Sequence, residues 1–513
     1  MPYSFSLAAI LAGNLLCLGL MNALRLPVGW TAWVWPGAVL ACWRMLRPDK
    51  LRRAPFAMPR AAWWLCGAAL ILLTVPRLTY VAEWLPGTAV LAQADDYGRL
   101  AELVSMTQSA RYPLEHPGNQ DLLLSHYYAA LYPMAWIKTA LPFLTLKDSI
   151  VLGNLLYHLL MLGALLECAP RLVRRRRGAL LLVFLMTLFG GFDILMGSAI
   201  PFEHTEHWAR SHMGRPRELS SMYTAMYWTV HHAAALWASV LAYVLVKAVR
   251  YGARWRKPLA CGWLLAAAGA SSAFVALTVP LVAWKELWAL ARRLLKLPWV
   301  LAACAGASWA PLWLVMKRVD AHGWRWNPPE WNIAVYVAAV CAIDLAGIPL
   351  WLSAQWQRLT GEERRWLIGF AVFAALTWGL ESAGYNNFMM RGGLVPAACL
   401  MVAVARHAVP RWLAVVFLAT AVTTVRESAT LTYWGLENSN WYWQARGLAV
   451  PEHVQQRLRA AYPRVARDAR GRYYQPDAGD RRGMDKYNAE RMVRGLKVEE
   501  MAGAEREIAR YRD

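Results

Sequence analysis

Two adjacent carboxylates, Asp95 and Asp96, stand in the run Ala94-Asp95-Asp96-Tyr97-Gly98-Arg99. Neighbouring carboxylates repel, so a cation or several hydrogen bonds must keep both ionised, and otherwise one pKa rises toward neutrality. That is the chemistry of a general base, or of a pair that could hold a divalent cation. The same residue type also caps helices, and either aspartate could begin a helix over 97–110. A second group is the run Glu381-Ser382-Ala383-Gly384-Tyr385-Asn386-Asn387-Phe388-Met389-Met390-Arg391. A guanidinium fork suits phosphate oxygens, which makes Arg391 the candidate phosphate holder, with Glu381, Asn386 and Asn387 beside it. An arginine at the end of a membrane span can equally snorkel to the interface. The third group, Glu203-His204-Thr205-Glu206-His207-Trp208, puts His204 and His207 on one helical face. No cysteine or further fixed spacing completes a ligand set there, so a solvated or sugar-contacting loop is expected and no metal site.

The elements that carry these groups follow from composition. Of 513 residues, 58% are hydrophobic and 17% charged, with 29 Trp, which is more apolar surface than one soluble core can hide. The solvent must be lipid, and helices are the spanning structure that satisfies its own backbone. Barrel strands, short and alternating, are not visible. Apolar segments at 5–24, 29–46, 61–78, 148–167, 179–197, 223–249, 259–275, 276–290, 298–316, 331–353, 366–380, 393–407 and 411–427 predict about thirteen spans. The 259–290 stretch is either two helices or one long tilted one. Cys17, Cys42, Cys66, Cys168, Cys261, Cys304, Cys341 and Cys399 lie in or beside apolar segments without a CxxC pair, so neither a disulfide framework nor a zinc site is expected. Met1 to Leu24 lacks a basic n-region and a cleavage site and reads as a retained first helix.

A net charge of +22 in a soluble protein would suggest nucleic acid, but here much of the excess sits in short turns between apolar segments. The turns are Arg44 to Arg60, Arg171 to Arg177, Lys247 to Lys257, Arg292 to Lys296, Arg358 to Arg365 and Arg406 to Arg411. With the spans above, all fall on one side, cytoplasmic by the positive-inside rule, so the N-terminus is inside, the C-terminus outside and no nucleic-acid partner is expected. On the outer side lie 79–147, 198–222, 317–330, 381–392 and the tail. Ser125 to Leu144 is apolar, yet a span there would break the charge alternation. It reads as a helix lying in the outer interface, with Tyr127, Tyr128, Tyr132 and Trp136 at headgroup level. Outer aromatics such as Trp324, Trp326 and Trp331 suit either sugar stacking or an interfacial belt. The fold class is therefore all-α. A polytopic transmembrane bundle over 1–427 includes a first large outer loop at 79–147, and a short outer tail at 428–513 is partly helical around 452–470 and 484–511.

Within the first loop, Arg111-Tyr112-Pro113-Leu114-Glu115-His116-Pro117 is followed by Asp121-Leu122-Leu123-Leu124-Ser125-His126-Tyr127-Tyr128. The order over residues 61–200 is a span, an acidic pair, a helix, a proline-containing stretch, an aromatic interfacial helix, a second span and a basic turn. This order resembles the first outer loop of the GT-C superfamily of membrane glycosyltransferases, which includes the aminoarabinose transferase of lipid A and the protein mannosyltransferases. Asp95 and Asp96 match the family's acidic pair, and His116-Pro117 with His126-Tyr127-Tyr128 match its proline-aromatic stretch in split form. The chain differs in having two helices before the matching one, an interruption from Gly118 to Ser125, and a tail shorter than the family's soluble domains.

The resemblance implies an inverting transfer of sugar from a polyprenyl-phosphate donor to a lipid or glycan acceptor, at the outer face of a bacterial inner membrane. Asp95 or Asp96 would receive or orient the acceptor proton, and a cation such as Arg391 would hold the phosphate that leaves. His116, His126, Tyr127, Tyr128, Glu381, Asn386, Asn387, His204 and His207 would line the substrates. The alternative is a transporter or flippase of lipid-linked saccharides, which should place ionisable groups near the midplane or show inverted repeats. An oligosaccharide polymerase or ligase would be expected to use a large late outer loop, whereas here the early loop is the elaborate one.

Overall fold

A computed structural model describes residues 1–51, 54–81, 102–103, 105–107, 109–116, 119–123, 128–144, 146–192, 219–316, 324–329, 331–382 and 387–437. Among the described residues, seven helices are long and apolar enough to cross a membrane: Pro2–Ala23, Arg60–Leu78, Asp148–Leu172, Val230–Lys247, Ala273–Leu295, Phe388–Arg406 and Arg411–Thr432. The protein is all-α, with the character of a helical membrane protein. The tail stretches 452–470 and 484–511 lie outside the described residues.

In chain order the helices are α1 Pro2–Ala23, α2 Thr31–Leu46, α3 Arg60–Val81, α4 Tyr132–Ala140, α5 Leu146–Leu172, α6 Arg176–Thr187, α7 Met222–Trp228, α8 Val230–Ala248, α9 Arg256–Ser271, α10 Ala273–Leu295, α11 Pro298–Met316, α12 Ile333–Ala342, α13 Ile348–Ala354, α14 Gly361–Gly379, α15 Asn387–Gly392, α16 Leu394–Arg406 and α17 Arg411–Glu437. Three antiparallel ladders join β1 Lys50–Leu51 to β4 Val249–Arg250, β2 Glu115–His116 to β3 Asn119–Leu123, and β5 Trp324–Trp326 to β6 Leu380–Ser382.

Each predicted apolar segment contains helix among the described residues, but several are interrupted, and 179–197 is helical only as far as Thr187, with 193–197 outside the described residues. The 223–249 segment breaks at Thr229 (φ −136°, ψ 61°) into α7 and α8. The 259–290 stretch is two helices. Ser272 between them is extended (φ −162°, ψ 112°), and its hydroxyl accepts from the Val275 amide to cap α10. The 331–353 segment breaks after α12, and Gly347 supplies the left-handed φ of 77° that starts α13.

Two compact units emerge. The first comprises Met1–Gly19, Trp35–Leu73 and Leu156–Ser428; the second takes its described residues from Leu20–Val34, Thr74–Leu155 and Ala429–Asp513. In the second unit α4 follows a 3-10 turn, Tyr128–Leu131. Its 9 residues are too short to cross a bilayer, for which about 20 are needed. Tyr128 and Tyr132 do not face outward at headgroup level. They are buried, and Tyr132 stacks on Tyr112 with ring centroids 6.5 Å apart. The interruption between His116 and His126 is accounted for in part by the β2–β3 hairpin.

In the first unit α16 is central. The Phe388–Arg406 window is 94% buried, against 22% for Ala273–Leu295, whose Leu277, Trp284, Trp288 and Leu295 face outward. On α17, Trp412, Val415, Leu418, Val422 and Val425 form an exposed apolar stripe at helical spacing, which only lipid or another apolar surface can cover.

The six basic turns meet at one end of this unit. Lys50 pairs with Arg250 in the β1–β4 ladder, and Arg256 forms an ion pair with Asp49 at 2.8 Å while donating to the carbonyls of Arg44, Met45 and Arg47. Met45 and Leu294 pack with Leu259 and Val300, which brings in the turn after α10. The Arg406 guanidinium donates to the Leu172 carbonyl (2.9 Å), Glu362 (2.9 Å) and Glu363 (3.4 Å), and lies 4.8 Å from the Trp366 ring centre. Lys247 reaches Glu362 at 3.0 Å, Tyr243 donates to Glu362 at 2.7 Å, and Arg365 pairs with Glu286 at 3.3 Å. The start of α1 sits here too, where the Glu167 carboxylate accepts from the Ser4 amide at 2.8 Å and complements the helix dipole.

Burial pushes the Glu362 carboxyl up, but hydrogen bonds from Tyr243, Arg406 and Lys247 outweigh it and hold the pKa at about 2, against an ordinary 4.5. A carboxylate depressed in the fold stabilises it above the ordinary value and loses that contribution as pH falls toward the folded one. The thermal midpoint in detergent should therefore drop between pH 4.5 and pH 2 by more in the native chain than in Glu362→Gln. Equal slopes for the two proteins would show that Glu362 does not contribute.

Helices α6 and α16 approach closely at Gly178, where an added Cβ would overlap the Ala405 carbonyl oxygen. Backbone cannot step aside as a side-chain end can, so Gly178→Ala should destabilise by about 1–3 kcal/mol, measured as a lowered midpoint in the same assay.

Candidate functional site

At the other end of the first unit, a short irregular segment gathers the buried polar groups. Helix α14 runs from the Glu362 network to the β5–β6 ladder, and its 19 residues separate the two by about 28 Å. The segment 219–232 lies at this far end and is built on α7. Ser221 caps α7 by accepting from the Thr224 amide at 3.1 Å. The Thr229 carbonyl accepts from the His232 amide at 2.8 Å and so starts α8 after the break.

Several elements fix this segment through polar contacts. Leu219 N donates to the Asp344 carboxylate at 2.9 Å, and Ser220 N to the Met390 carbonyl at 3.3 Å. Arg391 donates from Nη1 to Ser220 Oγ. Glu427 of α17 accepts from Thr224 Oγ1 at 3.1 Å and from the Trp228 indole at 3.0 Å. His158 Nε2 donates to the Met226 carbonyl at 3.0 Å, and Tyr223 to that of Leu72 at 2.9 Å. His232 Nδ1 shares a 2.7 Å hydrogen bond with Ser272 Oγ, and the His231 and His232 ring centres are 3.8 Å apart. The close approach of α16 depends on Gly393, where a Cβ would overlap the Leu219 side chain.

Asp344, Arg391, Glu427, His158, His231 and His232 are all buried. An unpaired charge costs several kcal/mol there, and the polar contacts on the short helix are what make the burial tolerable. Beside them, the β5–β6 ladder sets Arg325 opposite Glu381 and Trp326 opposite Leu380. Trp326 is 62% exposed and meets Trp378 edge to face with ring centres 6.0 Å apart, so one aromatic face is open at the same end as Arg391. Chemically the arrangement offers a guanidinium for an anion, carboxylate and imidazole groups for hydroxyls, and an aromatic platform for an apolar sugar face.

Of the residues singled out in the sequence, Arg391 stands in this cluster, buried rather than snorkelling. Glu381 and Asn387 are described as backbone in β6 and α15, and His116 as backbone in β2. Tyr128 belongs to the second unit. Asp95, Asp96, His126, Tyr127, His204, His207 and Asn386 lie outside the described residues. Among the described residues no group of three or more His, Cys, Asp or Glu side chains could hold a metal ion. Sequence reasoning missed Glu427, Thr224, Ser220 and His158. The available signal was an ionisable residue inside an apolar helix, and Glu427 was hidden by ending the last span at 427, where α17 in fact continues to Glu437.

Removing the Glu427 carboxylate should leave the Thr224 hydroxyl and the Trp228 indole without their acceptor. Glu427→Ala is expected to cost about 2–3 kcal/mol in detergent unfolding, and Glu427→Gln, whose single amide oxygen can still accept from one of the two, less. Equal losses in both would mean that one remaining acceptor oxygen does not hold α7 and that the full carboxylate is required. No family model matches the chain, and no curated protein or solved structure matches it, so the site is read from its own residues.

Proposed function

We propose that this chain is a membrane glycosyltransferase, moving a sugar from a polyprenyl-phosphate donor to a lipid or glycan hydroxyl at the face opposite its basic turns. In a bacterial inner membrane that face is the periplasmic one. The observation that carries the reading is that the buried Arg391 guanidinium and the exposed Trp326 both lie at the end of the helices remote from the cationic turns. Phosphate recognition and sugar stacking are what those two side chains do best. The order of residues in the first loop adds the resemblance to GT-C enzymes.

In the proposed reaction the acceptor oxygen attacks the anomeric carbon as the bond from that carbon to the phosphate oxygen breaks. The electron pair leaves with the polyprenyl phosphate, whose charge Arg391 offsets. The acceptor proton passes to Asp95 or Asp96, the roles that the resemblance assigns, with or without a divalent cation on the pair.

A transporter or flippase of lipid-linked saccharides is the second reading. The buried Asp344, Arg391 and Glu427 favour it, because ionisable groups inside a helical bundle often mark a transport path. Their gathering at one end of the helices favours transfer instead.

Proteoliposomes of the full chain, given radiolabelled polyprenyl-linked sugars and a membrane lipid or glycan fraction, separate the two. Transfer should occur, and Asp95→Asn or Asp96→Asn should lower it by about a hundredfold or more with donor binding retained. Full activity in both variants would remove the acidic pair from the chemistry. Donor crossing the bilayer without transfer would establish the flippase.

A further inference from the structure

The first unit contains a cavity that the proposed reaction does not use. It has roughly 730 Å³ of empty space, its open side included, and its walls are almost wholly apolar, among them Leu172, Leu182, Val282 and Ala398. Tyr243 and Trp366 also line it, so it reaches the basic end, since Tyr243 donates to Glu362 and Trp366 lies under Arg406. An apolar void beside a bilayer excludes water and gains dispersion contacts from any chain that fills it. Moving an acyl chain into it from surrounding lipid changes its apolar environment little, so selectivity must come from the headgroup.

The charges nearest the cavity differ in their availability. Lys247, Arg365 and Arg406 are paired with Glu286, Glu362 and Glu363. By contrast Arg174, Arg175, Arg176 and Arg177, which begin two residues after the wall residue Leu172, are all exposed, and no described carboxylate pairs with them. Four adjacent guanidinium groups in one turn repel one another and present their donors outward. A phosphate is the partner that relieves both conditions.

We propose that the cavity holds an acyl chain of an anionic phospholipid whose phosphate is bound by the Arg174–Arg177 turn. The inference is independent of the glycosyltransferase reading, because it concerns the other end of the helices and is read out by lipid binding alone.

The full chain, purified in mild detergent and exchanged into nanodiscs of equal parts phosphatidylglycerol and phosphatidylcholine, can be released and weighed by native mass spectrometry. Phosphatidylglycerol should be retained preferentially. Arg174→Gln with Arg175→Gln should reduce that preference about tenfold, while Arg292→Gln with Arg293→Gln, which removes the same charge at the same end, should leave it. Ala398→Phe should lower the amount of lipid retained, and Val282→Phe serves if that variant fails to fold. Equal loss in the two arginine pairs would reduce the effect to general surface charge and overturn the proposal. So would full retention with the cavity filled, or a polyprenyl phosphate retained in place of phosphatidylglycerol when both are supplied.

Discussion

The arrangement of the first unit depends on one side chain. Arg406, the last residue of α16, answers the carboxylates of Glu362 and Glu363 at the start of α14, the free carbonyl of Leu172 at the end of α5, and the face of Trp366. Glu362 passes the interaction on to Tyr243 and Lys247 of α8, and Lys247 and Arg365 meet at Glu286 of α10. Three cations and three carboxylates form a neutral knot within an end that is otherwise strongly positive. At Glu362 the hydrogen bonds outweigh the cost of burial, so the knot contributes stability as well as geometry. What it fixes is register. A one-residue slide of α16 would move Arg406 by about 1.5 Å along the axis and rotate it by about 100°, breaking all three hydrogen bonds together.

That register is transmitted to the far end because helices are stiff. Arg391, in α15, stands three residues before α16, and Trp326 rests on Gly379, the last residue of α14, where any Cβ would collide with its ring. The spacing between guanidinium and indole is thus set by the pairing of the same two helices at Glu362 and Arg406. The short helix α7 follows Ser220, which Arg391 holds. At 7 residues it could not persist in isolation, and it exists because Glu427, His158 and Leu72 hold it from three directions.

Helical content and the gathering of the basic turns at one end were legible in the sequence, since both follow from run length and from Lys/Arg positions. The breaks were not. Nothing in Trp228-Thr229-Val230 distinguishes it from an uninterrupted apolar helix. Thr229 departs from helical geometry because neighbours satisfy the groups it frees, and those neighbours are distant in sequence. The same reason hid Glu427, which reads as the polar edge of a span until its partners Thr224 and Trp228 are known. Arg391 was found because a lone cation in a turn otherwise poor in charge is conspicuous, although its burial was not foreseen. Tyr128 and Tyr132 were assigned to the interface from composition, which cannot separate an amphipathic ring at a headgroup from one stacked inside a unit. Tyr112, the residue that decides the matter, lies twenty positions from Tyr132.

The location of the breaks is itself an argument about function. In an apolar surrounding an interrupted helix exposes amides and carbonyls that lipid cannot satisfy, so irregular backbone survives only where protein or a polar cavity covers it. Thr229, Ser272 and residues 343–347 all interrupt helices, and around them Leu219 bonds to Asp344, His232 to Ser272 and Arg391 to Ser220 at the end remote from the basic turns. At the basic end, free helix carbonyls are met instead by the long cationic side chains of Arg256, Lys257 and Arg406. The groups that satisfy broken backbone are the same ones that can meet a polar substrate. A bundle needing only to be stable in lipid would have kept α7 and α8 as one helix; dividing them supplied polar donors and acceptors, and under the proposed glycosyltransferase reading these would meet the sugar phosphate.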